Sequence, residues 1–182
     1  MQAFDSLSRD IQQYIYDKGW PSLTHIQNAA IKQVANTDHN LILSAPTASG
    51  KTEAAFIPAL NSVEDWETGL KVLYISPLKA LINDQFHRIS ELSEYLDIPI
   101  TRWHGEVSQA QKKKVVNQPK GVLLITPESI EGMLVNRPGE AQHLFKGVEW
   151  IIIDELHSFL GTERGIHLQS LLQRISQFMQ EP

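Results

Sequence analysis

Two short stretches of this chain hold residue types that could do chemistry together. One is Ala45-Pro46-Thr47-Ala48-Ser49-Gly50-Lys51-Thr52, and the other is Ile151-Ile152-Ile153-Asp154-Glu155-Leu156-His157. The first fits the phosphate-binding P-loop pattern, with Ala45 where that pattern has its first glycine. The second is an apolar run ending in paired carboxylates. A triphosphate is densely anionic, so a loop that binds it must offer several backbone N–H groups at once. A turn feeding a helix N-terminus does this, and the helix dipole adds partial positive charge. Gly50, lacking a Cβ, lets the backbone come close. Lys51 supplies a flexible point charge for the outer phosphates. Thr52 supplies a hydroxyl for Mg²⁺, a hard cation that takes oxygen ligands, and Asp154 is the expected second anchor for that metal. Glu155 is the candidate base for the attacking water.

The flanks fit. Leu41-Ile42-Leu43-Ser44 reads as a buried strand before the loop, and Glu53-Ala54-Ala55-Phe56 reads as the start of a helix after it. Strand, loop, helix is the context a P-loop requires. Each stretch also has an ordinary alternative: a polar turn before a helix, and a chance Asp-Glu pair after an apolar strand. Their joint presence favours nucleoside triphosphate hydrolysis, because a P-loop needs an acidic partner.

The elements that must position these residues alternate along the chain. Ser6 to Lys18 carries an apolar stripe at 7, 11, 14 and 15, which predicts a helix. Thr24 reads as the cap of a second helix running to Val34. Short apolar runs predict strands near 41–45, 71–76, 98–103, 121–126 and 148–154. Helices are expected near 51–66, 78–95, 107–117, 128–135 and 164–180, and 136–147, opening on Arg137-Pro138-Gly139, reads as an irregular loop. Continuous apolar strands alternating with helices predict an α/β fold with a mainly parallel sheet covered on both faces. Such folds bind ligands at the carboxyl ends of their strands. Polar clusters fall at all five ends: Ser44 to Thr52, Ser76 to Leu81, Trp103 to Glu106, Thr126 to Ser129, and Asp154 to His157.

Composition narrows the functions. The 182 residues suit one domain with a substantial core. Cysteine is absent, which excludes disulfides, cysteine nucleophiles and thiolate metal sites. The seven histidines are scattered without compact ligand spacing, so no zinc site is expected. No apolar run approaches the roughly 20 residues that span a bilayer. The first residues lack the form of a signal peptide, so a cytoplasmic location is expected. A net charge of −5 does not advertise nucleic-acid binding, although a local groove can be basic on an acidic protein. Lys112-Lys113-Lys114 reads as a solvated helix face.

The order of these clusters resembles the first RecA-like domain of superfamily two helicases, the DExD/H-box ATPases. Phe4, Trp20 and Leu23-Thr24-His25-Ile26-Gln27 resemble the adenine-recognising Q motif. Ala45 to Thr52 resembles motif I, Ser76 to Leu81 motif Ia, Thr126-Pro127-Glu128 motif Ib, and Asp154 to His157 motif II in its DExH form. The segment Gly161 to Leu168, with Pro77-Leu78-Lys79-Ala80-Leu81, is most similar to the Lhr-like branch of large helicases.

The resemblance implies a RecA-like P-loop NTPase sandwich. Residues 1–39 would carry the Q-motif-like segment and 40–182 the motor domain, together one structural domain. ATP and Mg²⁺ are the implied cofactors. Phe4, Gln27 and the run Ala45 to Glu53 would hold the nucleotide, with Gln27 on the adenine edge. Pro77, Lys79, Ala80, His104, Gly105, Thr126, Pro127 and Glu128 would contact the backbone of one DNA or RNA strand. His157 would couple the ATP site to a second RecA-like domain of the same protein. The Ser-Ala-Thr motif expected on a following strand is absent, so the chain reads as truncated before motif III. The implied activity is ATP-dependent unwinding by the complete protein. A duplex translocase, or a non-catalytic nucleic-acid-binding module, would share the same motifs.

Overall fold

The structure is a computed structural model that describes residues 3–46 and 48–179. Its contacts group the chain into two compact units, Met1–Glu64 and Asp65–Pro182.

The first unit is helical. A 3-10 turn at Phe4–Ser6 leads into α1 (Arg9–Asp17), followed by α2 (His25–Asn36) and α3 (Lys51–Ser62). Ser8 caps α1 by accepting from the Ile11 N–H, and Ile11, Tyr14 and Ile15 turn their helical stripe inward. Thr24 and Gln27 form a complete capping box on α2, satisfying two orphan backbone donors reciprocally. α3 packs on α2, so the P-loop helix is anchored by the segment that resembles the Q motif. The expected strand at 41–45 does not form. This stretch has no ladder among the described residues, and Ile42 is 81% exposed. An apolar run favours extended backbone, but a strand also needs a partner, and periodicity cannot supply one.

The second unit is a parallel α/β sheet. Its strands are β1 (Gly69–Ile75), β2 (Ile100–Trp103), β3 (Lys120–Ile125) and β4 (Trp150–Ile153), in spatial order β2-β3-β1-β4. The helices are α4 (Lys79–Tyr95), α5 (Gln109–Asn117), α6 (Pro127–Asn136), α7 (Pro138–Phe145) and α8 (Glu163–Ser176). The central strands β1 and β3 are buried almost end to end, as apolar parallel strands must be. Leu73, Ile75, Leu123, Ile125, Phe145 and Leu171 form the middle of the core.

The irregular loop expected at 136–147 is instead largely helix α7. Arg137-Pro138-Gly139 looks like a breaker, but proline at the first helical position costs no hydrogen bond. Ala141, Leu144 and Phe145, at helical spacing, are fully buried and hold the turn in place.

An ionic cluster joins α6 to α8. Glu131 accepts from both Arg174 guanidinium ends, one at 3.2 Å, and from His167 Nε2 at 2.8 Å. The Arg174 hydrogen bond, then that of His167, holds the Glu131 carboxyl down to about 2. A carboxylate depressed on folding stabilises above its unfolded pKa, and that contribution is lost as pH falls through the folded value. Replacing Glu131 with Gln should therefore reduce the acid sensitivity of unfolding between about pH 4.5 and pH 2. Denaturant midpoints measured across that window should fall less steeply for the variant than for the parent.

Candidate functional site

The candidate nucleotide loop lies in the first unit. Gly50 sits at φ +83° as the N-cap of α3, and Ala48 at φ +60° precedes it. The left-handed Gly50 turns the chain into the helix, so Lys51, Thr52 and Glu53 form its first turn. The first intrahelical bond runs from the Ala54 N–H to the Gly50 carbonyl, so the earlier N–H groups have no partner within α3. Lys51 Nζ donates to the Ala45 carbonyl at 2.7 Å. The lysine is thus folded onto the loop that it would share with a phosphate. Pro46 and Ala48 are exposed, Ser49 and Thr52 are half-buried, and Thr47 lies outside the described residues.

Gln27 is buried and its amide is engaged at both ends. Oε1 accepts from the Thr24 N–H at 2.9 Å, and Nε2 donates to the Gly50 carbonyl at 3.4 Å. A Cβ built on Gly50 would stand 2.5 Å from Gln27 Nε2. The residue expected to read adenine therefore also buttresses the loop turn. Phe4 is half-buried in a 3-10 turn that contacts α2, and its carbonyl accepts from Gln12 Nε2.

The carboxylate pair lies in the second unit, at the carboxyl end of β4. The Asp154 N–H continues the ladder to the Ile75 carbonyl at 2.9 Å. The Glu155 N–H donates to Asp154 Oδ1 at 2.9 Å. Tyr74 on the neighbouring strand β1 gives Asp154 a side-chain hydrogen bond. Burial, then the negative charge of Asp154, pushes the Tyr74 phenol far above its usual range, so it remains a donor. Glu155 is held at φ +49°, an uncommon left-handed position for a residue with a side chain. Its Oε2 lies 3.3 Å from His157 Nδ1, and His157 is largely exposed. The arrangement fixes one carboxylate from two sides and leaves the next exposed beside an imidazole.

The other strand ends share this edge. Ser76 follows β1, and its N–H donates to the Ile125 carbonyl. Pro77 is buried, while Lys79 and Ala80 are exposed at the start of α4. Lys79 is paired with Glu106, and that hydrogen bond first, then the lysine's charge, holds the Glu106 carboxyl below its usual range. Thr126 caps α6 by accepting from the Ser129 N–H, and its own hydroxyl donates to Ser129 Oγ at 3.0 Å. That leaves the Ser129 hydroxyl proton available to an anion. Pro127 opens α6 and is buried, and Glu128 follows it at the surface, paired with Arg164 at 2.7 Å. His104 is buried with neither ring nitrogen hydrogen-bonded. Burial, then Arg102, lowers its pKa, which keeps the ring neutral. Gly105 is exposed beside it and lines a shallow groove with Trp103, Lys112, Ser129 and Arg137.

The sheet thus brings Pro77, Lys79, Ala80, His104, Gly105, Thr126, Pro127, Glu128, Asp154, Glu155 and His157 to one edge of the second unit. Phe4, Gln27 and the loop from Ala45 belong to the first. Sequence reasoning passed over Tyr74, and it included Glu106 and Arg164 in its clusters without giving either a role. Tyr74 was visible as the only hydroxyl-bearing side chain in its apolar strand. Glu106 and Arg164 carry no signal without their distant partners. Lys112, read as a solvated face, lies 5.7 Å above the Trp103 ring.

A left-handed turn opening α3, and a parallel sheet with a strand ending in Asp-Glu-x-His, are features of a RecA-like α/β domain. Residues 24–181 match the DEAD/DEAH box helicase family, and the chain belongs to it. It is 29% identical to the ATP-dependent helicase Lhr-Core of Methanocaldococcus jannaschii, over 96% of this chain and 22% of that protein. It is 35% identical to the Lhr helicase/uracil glycosylase of Escherichia coli, over 84% of this chain and 11% of that protein. The structure of Mycobacterium smegmatis helicase Lhr bound to ssDNA and AMP-PNP superposes with a TM-score of 0.87 at 28% identity, covering all of this chain and 24% of the other. Helicase MrfA bound to DNA and AMPPNP gives 0.84 at 26% identity, over 98% and 25% of the two chains. The similarities point to the Lhr branch, and the chain spans a quarter or less of each of these proteins.

Gly50 offers a direct test of the loop geometry. Alanine there must adopt a left-handed backbone, at a cost of about 1–2 kcal/mol, and must also displace Gln27. Gly50→Ala should therefore destabilise more in the parent than in a Gln27→Ala background. Equal losses in chemical denaturation would mean that the two residues do not touch.

Proposed function

We propose that this chain is the ATP-binding motor domain of a helicase that moves along single-stranded nucleic acid. The observation that carries the reading is the left-handed Gly50 delivering Lys51 and Thr52 into the first turn of α3. Open N–H groups, a helix dipole and an ammonium suit a triphosphate better than any neutral ligand. In this reading Ala45, Pro46, Thr47, Ala48, Ser49 and Gly50 cradle the phosphates, and Lys51 exchanges the Ala45 carbonyl for a phosphate oxygen. Phe4 packs on the base. Gln27 keeps a second amide N–H for the adenine edge while its first holds the loop. Glu53 completes the turn.

Thr52 offers a hydroxyl and Asp154 a carboxylate, each an oxygen donor of the kind Mg²⁺ takes alongside substrate oxygens and water. Mg²⁺ would neutralise developing phosphate charge. Tyr74 and the Glu155 N–H orient Asp154 for that task. Glu155 orients the attacking water and accepts its proton, and His157 beside it passes the state of the site to a second RecA-like domain. That domain, carrying the arginine that completes phosphoryl transfer, belongs to the complete protein.

The shared edge of the second unit grips the strand. N–H groups at the start of α4, the Ser129 hydroxyl and the Gly105 backbone suit phosphodiesters and carry no base information, so binding is independent of sequence. DNA and RNA are both candidate substrates. The activity is assigned to the cytoplasm, where ATP and nucleic acid meet.

Hydrolysis of ATP by the complete protein, with and without single-stranded DNA or RNA, tests the proposal. Turnover should rise strongly with one polymer. Lys51→Ala should lose ATP affinity, whereas Glu155→Gln should keep it and lose turnover by at least about 100-fold, the scale of a general base. Undiminished turnover in Glu155→Gln would remove that residue as the base.

The Lys79–Glu106 pair gives a second expectation. If Lys79 faces strand phosphates, Glu106→Gln frees the ammonium and removes a repulsive charge. Strand affinity at low salt should increase, and the gain should shrink as salt is raised. Weaker binding would place Glu106 in a supporting role instead.

A further inference from the structure

The segment after the carboxylates, Gly161 to Leu168, carries a guanidinium that the reading above leaves unused. Arg164 stands in the first turn of α8. Its Nη2 donates to the Pro77 carbonyl at 2.9 Å and to Glu128 Oε1 at 2.7 Å. Its guanidinium carbon lies 5.5 Å over the ring of buried Phe159. Pro77 belongs to the connection from β1 to α4, Glu128 to the first turn of α6 after β3, and Arg164 to the segment after β4. The strand order β3-β1-β4 makes these three connections neighbours. One side chain therefore ties together three consecutive strand ends.

The backbone beneath it has little freedom. Thr162 accepts from the Gly165 N–H at 3.2 Å and donates to the Phe159 carbonyl at 2.8 Å. A Cβ on Gly165 would stand 2.0 Å from that same carbonyl. The helix start is thus pressed against the chain that leaves Asp154-Glu155, and a shift of either must move Arg164.

Glu128 also needs an explanation. A carboxylate cannot donate to a phosphodiester and repels it. Paired with Arg164, it becomes an anchor for a cation instead of a strand contact.

We infer that Arg164 is a positioning residue that couples the strand-gripping connections at Pro77 and Glu128 to the carboxylate pair Asp154-Glu155. It touches neither nucleotide nor strand. It sets the spacing of the two connections and transmits their occupancy to the segment following β4. This rests on the motor reading and deepens it, by assigning the route by which a bound strand accelerates hydrolysis.

The test is steady-state ATP hydrolysis by the complete protein against single-strand concentration, for the parent, Arg164→Ala, Arg164→Lys and Glu128→Ala. In Arg164→Ala the ATP affinity and the strand-free rate should match the parent. Two charge-assisted bonds are lost, so the strand concentration for half-maximal stimulation should rise about tenfold, and the stimulated rate should fall. Arg164→Lys, which keeps the charge but not the planar guanidinium over Phe159, should lie between. Glu128→Ala should also lose stimulation, although it removes a negative charge facing the strand.

Several results would overturn the inference. One is an Arg164→Ala curve that superimposes on a stimulated parent. Another is a Glu128→Ala variant that binds strands more tightly and is stimulated fully, which would leave Glu128 as simple repulsion. A parallel loss of ATP affinity and strand-free turnover in both Arg164 variants would mean a merely structural role. A parent that no strand stimulates removes the motor reading and this inference together, whereas an unaffected Arg164→Ala in a stimulated parent removes the inference alone.

Discussion

The pairing of β1 with both of its neighbours is the constraint on which the second unit depends. Ile75 stands opposite Ile125 on one side and Ile153 on the other, and Trp103 is opposite Ile125 in turn. All four strands are parallel, so this register brings their carboxyl ends level. The next residue of each chain, Ser76, Thr126, Asp154 and His104, then emerges along one line. A slip of one residue in any pair would turn that strand's apolar side chains to its other face and move its polar end out of line. Burial of β1 and β3 makes such a slip costly, so the same contacts that stabilise the sheet also align the site.

The polar groups on this edge, and in the loop of the first unit, are held by protein partners that an incoming anion can replace. Lys51 rests on the Ala45 carbonyl and Lys79 on Glu106. Thr126 directs its proton to Ser129 and leaves the Ser129 hydroxyl free to donate. Asp154 differs, because Tyr74 and the Glu155 N–H hold it from neighbouring elements that do not have to move. A flexible ammonium can follow a phosphate, whereas in the proposed role of metal anchor a carboxylate works best with its direction fixed in advance.

What could be read from the sequence follows from what is local. The P-loop turn, the cap at Thr24 and the acid pair ending β4 each depend on residues within a few positions of one another. The α/β character followed from apolar strand runs separated by helical stripes. Two elements escaped for physical reasons. At 41–45 an apolar run promised a strand, yet a ladder requires a partner, which no local pattern specifies. At 138–145 the Pro-Gly signal outweighed Ala141, Leu144 and Phe145, although proline at a helix start is compatible with the helix that they bury. The pairings Tyr74 with Asp154, Lys79 with Glu106 and Arg164 with Glu128 could not be read either. They join residues far apart in sequence, and they exist only once the order β2-β3-β1-β4 is set.

The charge balance bears on how an acidic chain can hold a polyanion. The net charge is −5, and the cations of the strand connections are matched, since Lys79 meets Glu106 and Arg164 meets Glu128. A grip built from matched pairs cannot draw its affinity chiefly from released counterions, because a lysine already neutralised by a carboxylate contributes little to that term. The uncharged donors are backbone N–H groups at the start of α4, the Ser129 hydroxyl and the exposed backbone at Gly105. These are directional and short in reach. They reward a phosphodiester only at the correct spacing, and that spacing is set by the sheet register and by the guanidinium tying the neighbouring connections. For the motor proposed above, which would repeatedly take and give up its track, dependence on spacing matters more than high affinity.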